Sequence, residues 1–288
     1  MPQCPVCDAP LGQGLLPWLL QCPGCRFERS TLAEQLADPR ARAAIDENAR
    51  AVGLGALRER NFRTIVKELE RLRPERGALL DVGCAHGWFL RTAAESGWTV
   101  VGIEPDPEMA RLAASGGREV RVGMFPGALK PAEQFDVISF NDVFEHLPDV
   151  DAALEACASA LRPRGLLAIN LPDARGPFYR LTRLLARVGL RGPLERLWQK
   201  GFASPHLSYF TAPLLRRLAV RHGFRPVHDA PLPSVSRTGL WSRLRYDRRS
   251  TLAGSALVWT ATCALLPALR LLPSDISLVI FTRPPAHE

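Results

Sequence analysis

The chain has 288 residues, 37 Lys and Arg against 29 Asp and Glu, and a formal net charge of +8. That length holds one large core and a small appendage. The first 25 residues carry no Lys or Arg and Pro17 breaks the apolar piece at 15–20, so no secretory signal is read. Of seven cysteines, Cys84, Cys157 and Cys263 stand alone and four cluster in two close pairs, which excludes a disulfide framework and points to a reducing, cytoplasmic location with bound metal.

The pairs Cys4-Pro5-Val6-Cys7 and Cys22-Pro23-Gly24-Cys25 open the chain, with fourteen residues between them. Two knuckles at that spacing close a tetrahedral thiolate site, the signature of a zinc ribbon over residues 1–29. Four thiolates leave no open position, so Cys4, Cys7, Cys22 and Cys25 predict a structural metal. Zinc is expected, with iron the alternative because a rubredoxin-like site shares the Cys-Pro-x-Cys knuckle. The residue after each second cysteine needs positive φ if its neighbours' N–H groups are to face the sulfurs; here it is Asp8 and Arg26 rather than Gly.

Residues 30–55 read as a helical linker interrupted at Asp38-Pro39, and the main domain is expected over 56–288. Phe62, Ile65, Val66, Leu69 and Leu72 repeat at helical spacing over 61–73, and Pro74 and Gly77 stop that helix. Strands at 78–82, 99–103, 119–122, 135–140 and 165–171 then alternate with helices at 87–96, 107–114 and 150–161. The order predicts an α/β fold with a doubly wound, Rossmann-like parallel sheet.

The run Leu79-Leu80-Asp81-Val82-Gly83-Cys84-Ala85-His86-Gly87-Trp88-Phe89-Leu90 is a buried strand breaking into a glycine turn that opens an amphipathic helix. Such a turn lets backbone approach a nucleotide-like cofactor. A second strand, Trp98-Thr99-Val100-Val101-Gly102-Ile103-Glu104, also ends in an acid, placed to accept from two ribose hydroxyls. The Gly-x-Gly-x-x-Gly expected of a nicotinamide site is missing.

With Asp81, Gly83 and Gly87 in place and Ala85 at the middle glycine, the chain resembles the class I S-adenosylmethionine (SAM) dependent methyltransferases, which implies a seven-stranded sheet of their fold and SAM as cofactor. The resemblance implies that Asp81 holds the loop and the methionine amino end, and that backbone at Gly83, Cys84 and Ala85 lines the methionine portion. It also implies that Glu104 binds the ribose beside Pro105, and that Gly123, Met124 and Phe125 pack the adenine. Asn141 and Asp142, at the end of the fourth strand, are expected to face the cofactor.

Methyl transfer to a hydroxyl needs a positioned acceptor and a base. His146 is the first candidate, because an imidazole pKa near 6.5 suits neutral conditions; His206, in His206-Leu207-Ser208-Tyr209-Phe210-Thr211, is the second. Glu145-His146 also reads as a brace for the cofactor loop. Asp142, Glu145 and His146 further resemble the Glu-x-x-Glu-His cluster that binds a divalent ion in quinone-type O-methyltransferases.

From Arg175 to Arg249 sixteen Lys or Arg face three acids, a net +13, which leaves −5 for the rest. A basic lid is expected at about 174–205 and a helical insertion at about 232–275, before a last strand at 276–282. Residues 251–269 contain no charge. Their length suits a membrane span, but a crossing would strand the last sheet strand across the bilayer. A packed cap or a monotopic helix in the headgroup layer is expected instead. The resemblance extends to bacterial enzymes of surface-polysaccharide, glycolipid and secondary-metabolite assembly. It implies O-methylation of a sugar, glycolipid or other small-molecule hydroxyl, a glycan acceptor being lipid-linked in one version; the basic segment and the uncharged helix add an expected peripheral contact at the inner membrane face. A ribosomal or transfer RNA acceptor and a non-catalytic scaffold are the alternatives.

Overall fold

The computed structural model describes residues 2–36, 38–269 and 272–285; the remaining positions of the expected ribbon, linker, insertion and C-terminus lie outside the described residues. Strands β1 (Gly12–Gln13), β2 (Leu19–Gln21) and β3 (Glu28–Ser30) form an antiparallel meander. The free edge of β3 pairs with Ser208 and Tyr209, so the N-terminal sheet is completed by residues from late in the chain.

After α1 (Pro39–Ala43), one helix, α2 (Glu47–Leu72), runs unbroken for 26 residues. Asp46 caps it by accepting from the Ala49 amide at 2.9 Å. The sequence places a linker up to residue 55 and a helix from 61; the fold makes them one element. Gly53 is a crossing point within it, because a Cβ there would sit 2.5 Å from the Arg243 amide nitrogen of a helix packed across it.

The main sheet is built from β4 (Ala78–Val82), β5 (Thr99–Glu104), β6 (Glu119–Val122), β7 (Phe135–Asn141) and β8 (Leu161–Pro172), with α3 (Trp88–Glu95), α4 (Pro107–Ala113) and α5 (Val150–Ala160) between them. Then come α6 (Pro177–Arg187), α7 (Gly192–Leu197), β9 (Ser208–Tyr209), α8 (Ala212–Arg221), β10 (Arg225–Leu232), α9 (Leu240–Arg245), α10 (Leu252–Leu269) and β11 (Ile276–Thr282). Strand order is β10-β11-β8-β7-β4-β5-β6. The five strands β6 to β8 are parallel, and β11 and β10 close the far edge antiparallel. This is the expected α/β seven-stranded sheet.

One face is covered by α2 and α3, where Ile65, Leu69, Phe89 and Trp98 meet Val137 and Leu278. The other is covered by α5, α8 and the N-terminal meander, where Leu154, Leu215 and Phe27 meet Ile138, Phe140 and Phe281. Full burial of a side chain such as Ile65 or Leu69 contributes about 1.5–3 kcal/mol. At the opposite edge from the strand tips, Asp136 ties the sheet together, accepting from Arg73 and Arg162 and from the Ala78 amide.

The predicted basic lid folds as α6 and α7, and the predicted insertion as α9 and α10. Helix α9 packs on α2, and α10 on α9. Among the described residues no helix is long and apolar enough to cross a membrane.

Candidate active site

The strand order reverses between β4 and β7, and there the crevice beyond the strand tips is the natural ligand site of an open α/β sheet. Gly83, Ala85 and Gly87 have φ of 68°, 45° and 70°. A Cβ on Gly83 would lie 2.6 Å from a Val143 methyl, and one on Gly87 would lie 2.8 Å from the Ala113 Cα. Both glycines are required by space as well as by torsion. Ala85 takes the same left-handed conformation with a methyl group.

The loop is pinned to β5. The amides of Gly83 and Cys84 donate to the Ile103 carbonyl at 2.7 and 3.1 Å, and that of Ala85 to Glu104 Oε2 at 2.8 Å. These three amides are therefore engaged within the protein, and the loop offers a ligand its Cα surface. Glu104 is buried; its Oε1 accepts from the Asp106 amide at 3.0 Å. Burial raises its pKa, against the two amide bonds. Each oxygen accepts one bond here and keeps a second lone pair.

Asp81, at the tip of β4, is also buried, and its Oδ1 accepts from Ser139 Oγ and Asn141 Nδ2, both at 2.8 Å. Burial pushes its carboxyl up to about 7; the Glu104 charge adds to this and the Ser139 and Asn141 bonds oppose it. Asn141 in turn accepts from Asn170 Nδ2 at 2.7 Å. Asp142 has φ of 55° and is ion-paired through Oδ2 with Arg58 of α2 at 3.2 Å. Next to Glu104, the Gly123 amide donates to its carbonyl at 3.1 Å, bringing the 123–125 turn to the tip of β5. Phe125 is buried edge-on to Phe140, and Met124 is exposed.

A cleft partly open to solvent is lined by Asp81, Gly83, Cys84, Ala85, Asn141 and, from residues the sequence reading did not assign to ligand binding, Arg58, Phe62, His86, Trp88 and Phe89. Glu104, Pro105, Asp142 and the 123–125 turn lie outside that lining, as do His146 and His206. Arg58 and Phe62 come from α2, far away in sequence, so no local motif marks them. His86 stacks on Trp88 with ring centres 4.7 Å apart, and its place inside the loop was the available signal.

The two histidines form a separate cluster. Phe144–His146 is a single 3-10 turn, and its Glu145 carbonyl accepts from the Leu207 amide at 2.8 Å, which brings the 206–211 segment against it. His146 and His206 pack edge to face at 4.6 Å. His146 Nδ1 contacts the Pro205 carbonyl at 2.9 Å and Ser204 Oγ at 3.2 Å, while His206 Nε2 contacts Gln199 Nε2 at 2.8 Å. Glu145 Oε1 lies 3.9 Å from His206 Nε2, yet both its carboxylate oxygens and His206 Nδ1 are buried without hydrogen-bond partners among the described residues.

Burial holds Glu145 well above the usual carboxylate range, with the Asp142 charge adding to it. It pushes His146 down to about 4, against the Pro205 contact, and drives His206 well below 6.5. The near-neutral imidazole expected at His146 is therefore not what this environment produces. Glu145, His146 and His206 each offer one ligand atom within 4.8 Å of the others, a donor set suited to a divalent first-row metal. Asp142, expected from the sequence as a third ligand, points to Arg58 instead.

At the N-terminus, the Sγ atoms of Cys4, Cys7, Cys22 and Cys25 lie within 4.8 Å of one another, and all four cysteines are free. Zn–S bonds of about 2.3 Å place tetrahedral thiolates about 3.8 Å apart, so this cage fits the ion. Asp8 and Arg26 have φ of 60° and 65°, so both knuckles adopt the positive φ usually supplied by Gly. Beyond them, Glu28 of β3 accepts from Tyr179 Oη at 2.6 Å and pairs with Arg183, and Ser30 Oγ donates to the His206 carbonyl at 2.8 Å. The meander thus buttresses both α6 and the histidine segment.

The methyltransferase-domain family profile matches residues 57–229. Among curated relatives, ubiquinone biosynthesis O-methyltransferases of Bradyrhizobium sp. (strain ORS 278) and Azorhizobium caulinodans are 31% identical over 171 residues and 30% over 152. These alignments cover 56% and 50% of this chain and 66% and 59% of the relatives, so the chain spans less than two thirds of either. A chain of the complex between the Haloferax volcanii Trm112 methyltransferase activator and a methyltransferase superposes with a TM-score of 0.57 at 17% identity, over 84% of this chain and 97% of that one. Haemonchus contortus phosphoethanolamine N-methyltransferase 2, solved with S-adenosyl-L-methionine, superposes with 0.54 at 16% identity, over 77% of this chain and 52% of that one. Profile and fold agree: the chain belongs to the methyltransferase-domain family, with the class I SAM-dependent methyltransferase fold.

Proposed function

We propose that the chain transfers a methyl group from SAM to a hydroxyl of a small molecule. When bound, SAM would supply an electrophilic methyl on its sulfonium, which would bond to the acceptor oxygen as its C–S bond breaks and the neutral thioether leaves, so the protein's work is to hold, orient and deprotonate. Asp81 and Glu104 are assigned to the methionine amino group and the ribose, through the lone pairs their internal bonds leave available. Asn141 supports Asp81, and the 123–125 turn takes the adenine. A single zinc ion in the cysteine cage is assigned a structural role.

The observation that carries O-methylation is the likeness to relatives named O-methyltransferases at 30–31% identity. Their part in ubiquinone biosynthesis favours an aromatic hydroxyl over the sugar hydroxyl expected from the sequence. Incubation with methyl-labelled SAM and a panel of a catechol, an alkyl catechol and a methyl glycoside tests this. Label is expected on the catechols; label on the glycoside alone would overturn the phenolic acceptor and restore the glycan.

A further inference from the structure

We infer that α6 and α10 form a docking surface for an anionic lipid bilayer, a role beyond methyl transfer and independent of it. Of residues 252–267 in α10, only Ser255 is buried. Leu252 and Leu257 are 66% and 73% exposed, with Val258 and Leu265 also exposed, on a helix without a charged side chain. A water-facing helix of this composition loses its apolar hydration only when something covers it. The charge around it says what.

Helix α6 shows the same exposure in a narrower form. Leu181, Leu184 and Val188, at i, i+3 and i+7, make one exposed apolar stripe, Val188 being 71% exposed. Arg180 and Arg187 are exposed alongside it, and Leu190 and Arg191 extend both stripes past the helix end. Leucines bordered by arginines, with no acid in α6, match an apolar interior beneath anionic headgroups and mismatch a protein surface of mixed sign. Helix α7, which packs on α6, meets the segment before α10: Arg196 of α7 pairs with Asp247 at 2.5 Å, and Arg249 donates to the Lys200 carbonyl at 3.3 Å. Exposed Arg248 and Arg249 follow directly before α10, and exposed Trp241 sits on α9. Arginine and tryptophan at the root of an apolar helix are the side chains that settle at a headgroup boundary.

The helix inserts without spanning, since no described helix is able to cross. Its mooring α9 packs on α2, which lines the cleft through Arg58 and Phe62, so docking would hold the cleft near the lipid surface.

Flotation of the full chain with vesicles of phosphatidylcholine alone, or with about 30% phosphatidylglycerol, tests the assignment. Binding is expected only to the anionic vesicles, and is expected to weaken as salt rises from about 0.1 M to about 0.5 M. Leu257→Asp with Val258→Asp, and separately Arg180→Glu with Arg187→Glu, should each reduce binding by about tenfold or more, with SAM binding by calorimetry unchanged as the check on folding. Absence of binding to anionic vesicles, or binding that both double variants retain, overturns the proposal. So does sedimentation showing that the Leu257 and Val258 pair instead splits an oligomer, which would assign the surface to a second copy of the chain. Vesicle binding is read without turnover, so its failure leaves the methyl-transfer reading standing, and the reverse.

Discussion

The glycine loop and the histidine cluster are two buried polar sites in one fold, built in opposite ways. In the loop, Glu104 has a donor on each oxygen and Asp81 has two on Oδ1. In the cluster, both Glu145 oxygens and His206 Nδ1 have no partner among the described residues. A buried group left unpaired costs about 1–3 kcal/mol, so the cluster holds strain that the loop does not. The loop is a finished scaffold; the cluster is a set of groups that a ligand, a water or an ion would complete.

The strongest way to separate the two is through the N-terminal meander, because β3 pairs with β9 and donates to the His206 carbonyl, while among the described residues no hydrogen bond joins it to the glycine loop. Stripping zinc with a chelator, or Cys22→Ser, should remove a site worth about 10 kcal/mol of apparent binding energy. Methyl transfer is expected to fall by about 100-fold or more while the SAM Kd moves by less than about threefold. Metal analysis should find one zinc per chain; equal loss of binding and turnover would show the two sites to be one cooperative unit.

Next in size is Glu104→Ala. It removes two charge-assisted bonds of about 1.5–3 kcal/mol each as well as the ribose partner, so calorimetry should show SAM binding about 100-fold weaker. Equal binding by variant and parent would dispose of the ribose assignment.

The pH dependence sharpens the contrast, because the two sites pull stability in opposite directions. Asp81 ionises near 3.8 in the unfolded chain but at about 7 in the fold. Between those values the unfolded state is charged and the folded state is not, so this group's contribution is lost as pH rises. His146 falls from 6.5 to about 4; the unfolded state takes up its proton first, so its contribution is lost as pH drops through the same window. Each shift is worth about 3–4 kcal/mol at 1.36 kcal/mol per pH unit. Denaturant titrations should show Asp81→Asn flattening the loss on the alkaline side and His146→Gln the loss on the acid side. SAM, whose ammonium prefers an ionised Asp81, should bind more weakly below about pH 7.

Glu145→Gln is the gentlest probe. Burial favours the neutral acid, which Gln matches in shape, so thermal stability should change by less than about 1 kcal/mol. A loss of about 3–5 kcal/mol would mean that the carboxylate is charged and paired with a cation.

The loop was legible because its information is local: strand, acid, glycine and helix start lie within twelve consecutive residues, and Gly83 and Gly87 are forced by torsion and contact alike. The cysteine knuckles were legible for the same reason. Arg58 and Phe62 were not, since α2 reaches the cleft only through packing against α3 and the sheet. The environment of His146 was equally hidden, because its lost basicity comes from the 204–206 segment folding over it. Gly53 was hidden for a related reason: its role, letting α2 and α9 touch, depends on residues nearly two hundred positions away.

The pairing of β3 with β9 also sets an order of events during synthesis. The first strands leave the ribosome long before residues 208 and 209 exist, so their sheet waits with one edge open until most of the parallel core has been made. A nascent chain halted short of that point would expose the edge of β3 and leave Phe27 without Phe210, its ring partner at 4.9 Å, so a metal bound early by the knuckles would hold the meander until that edge is paired.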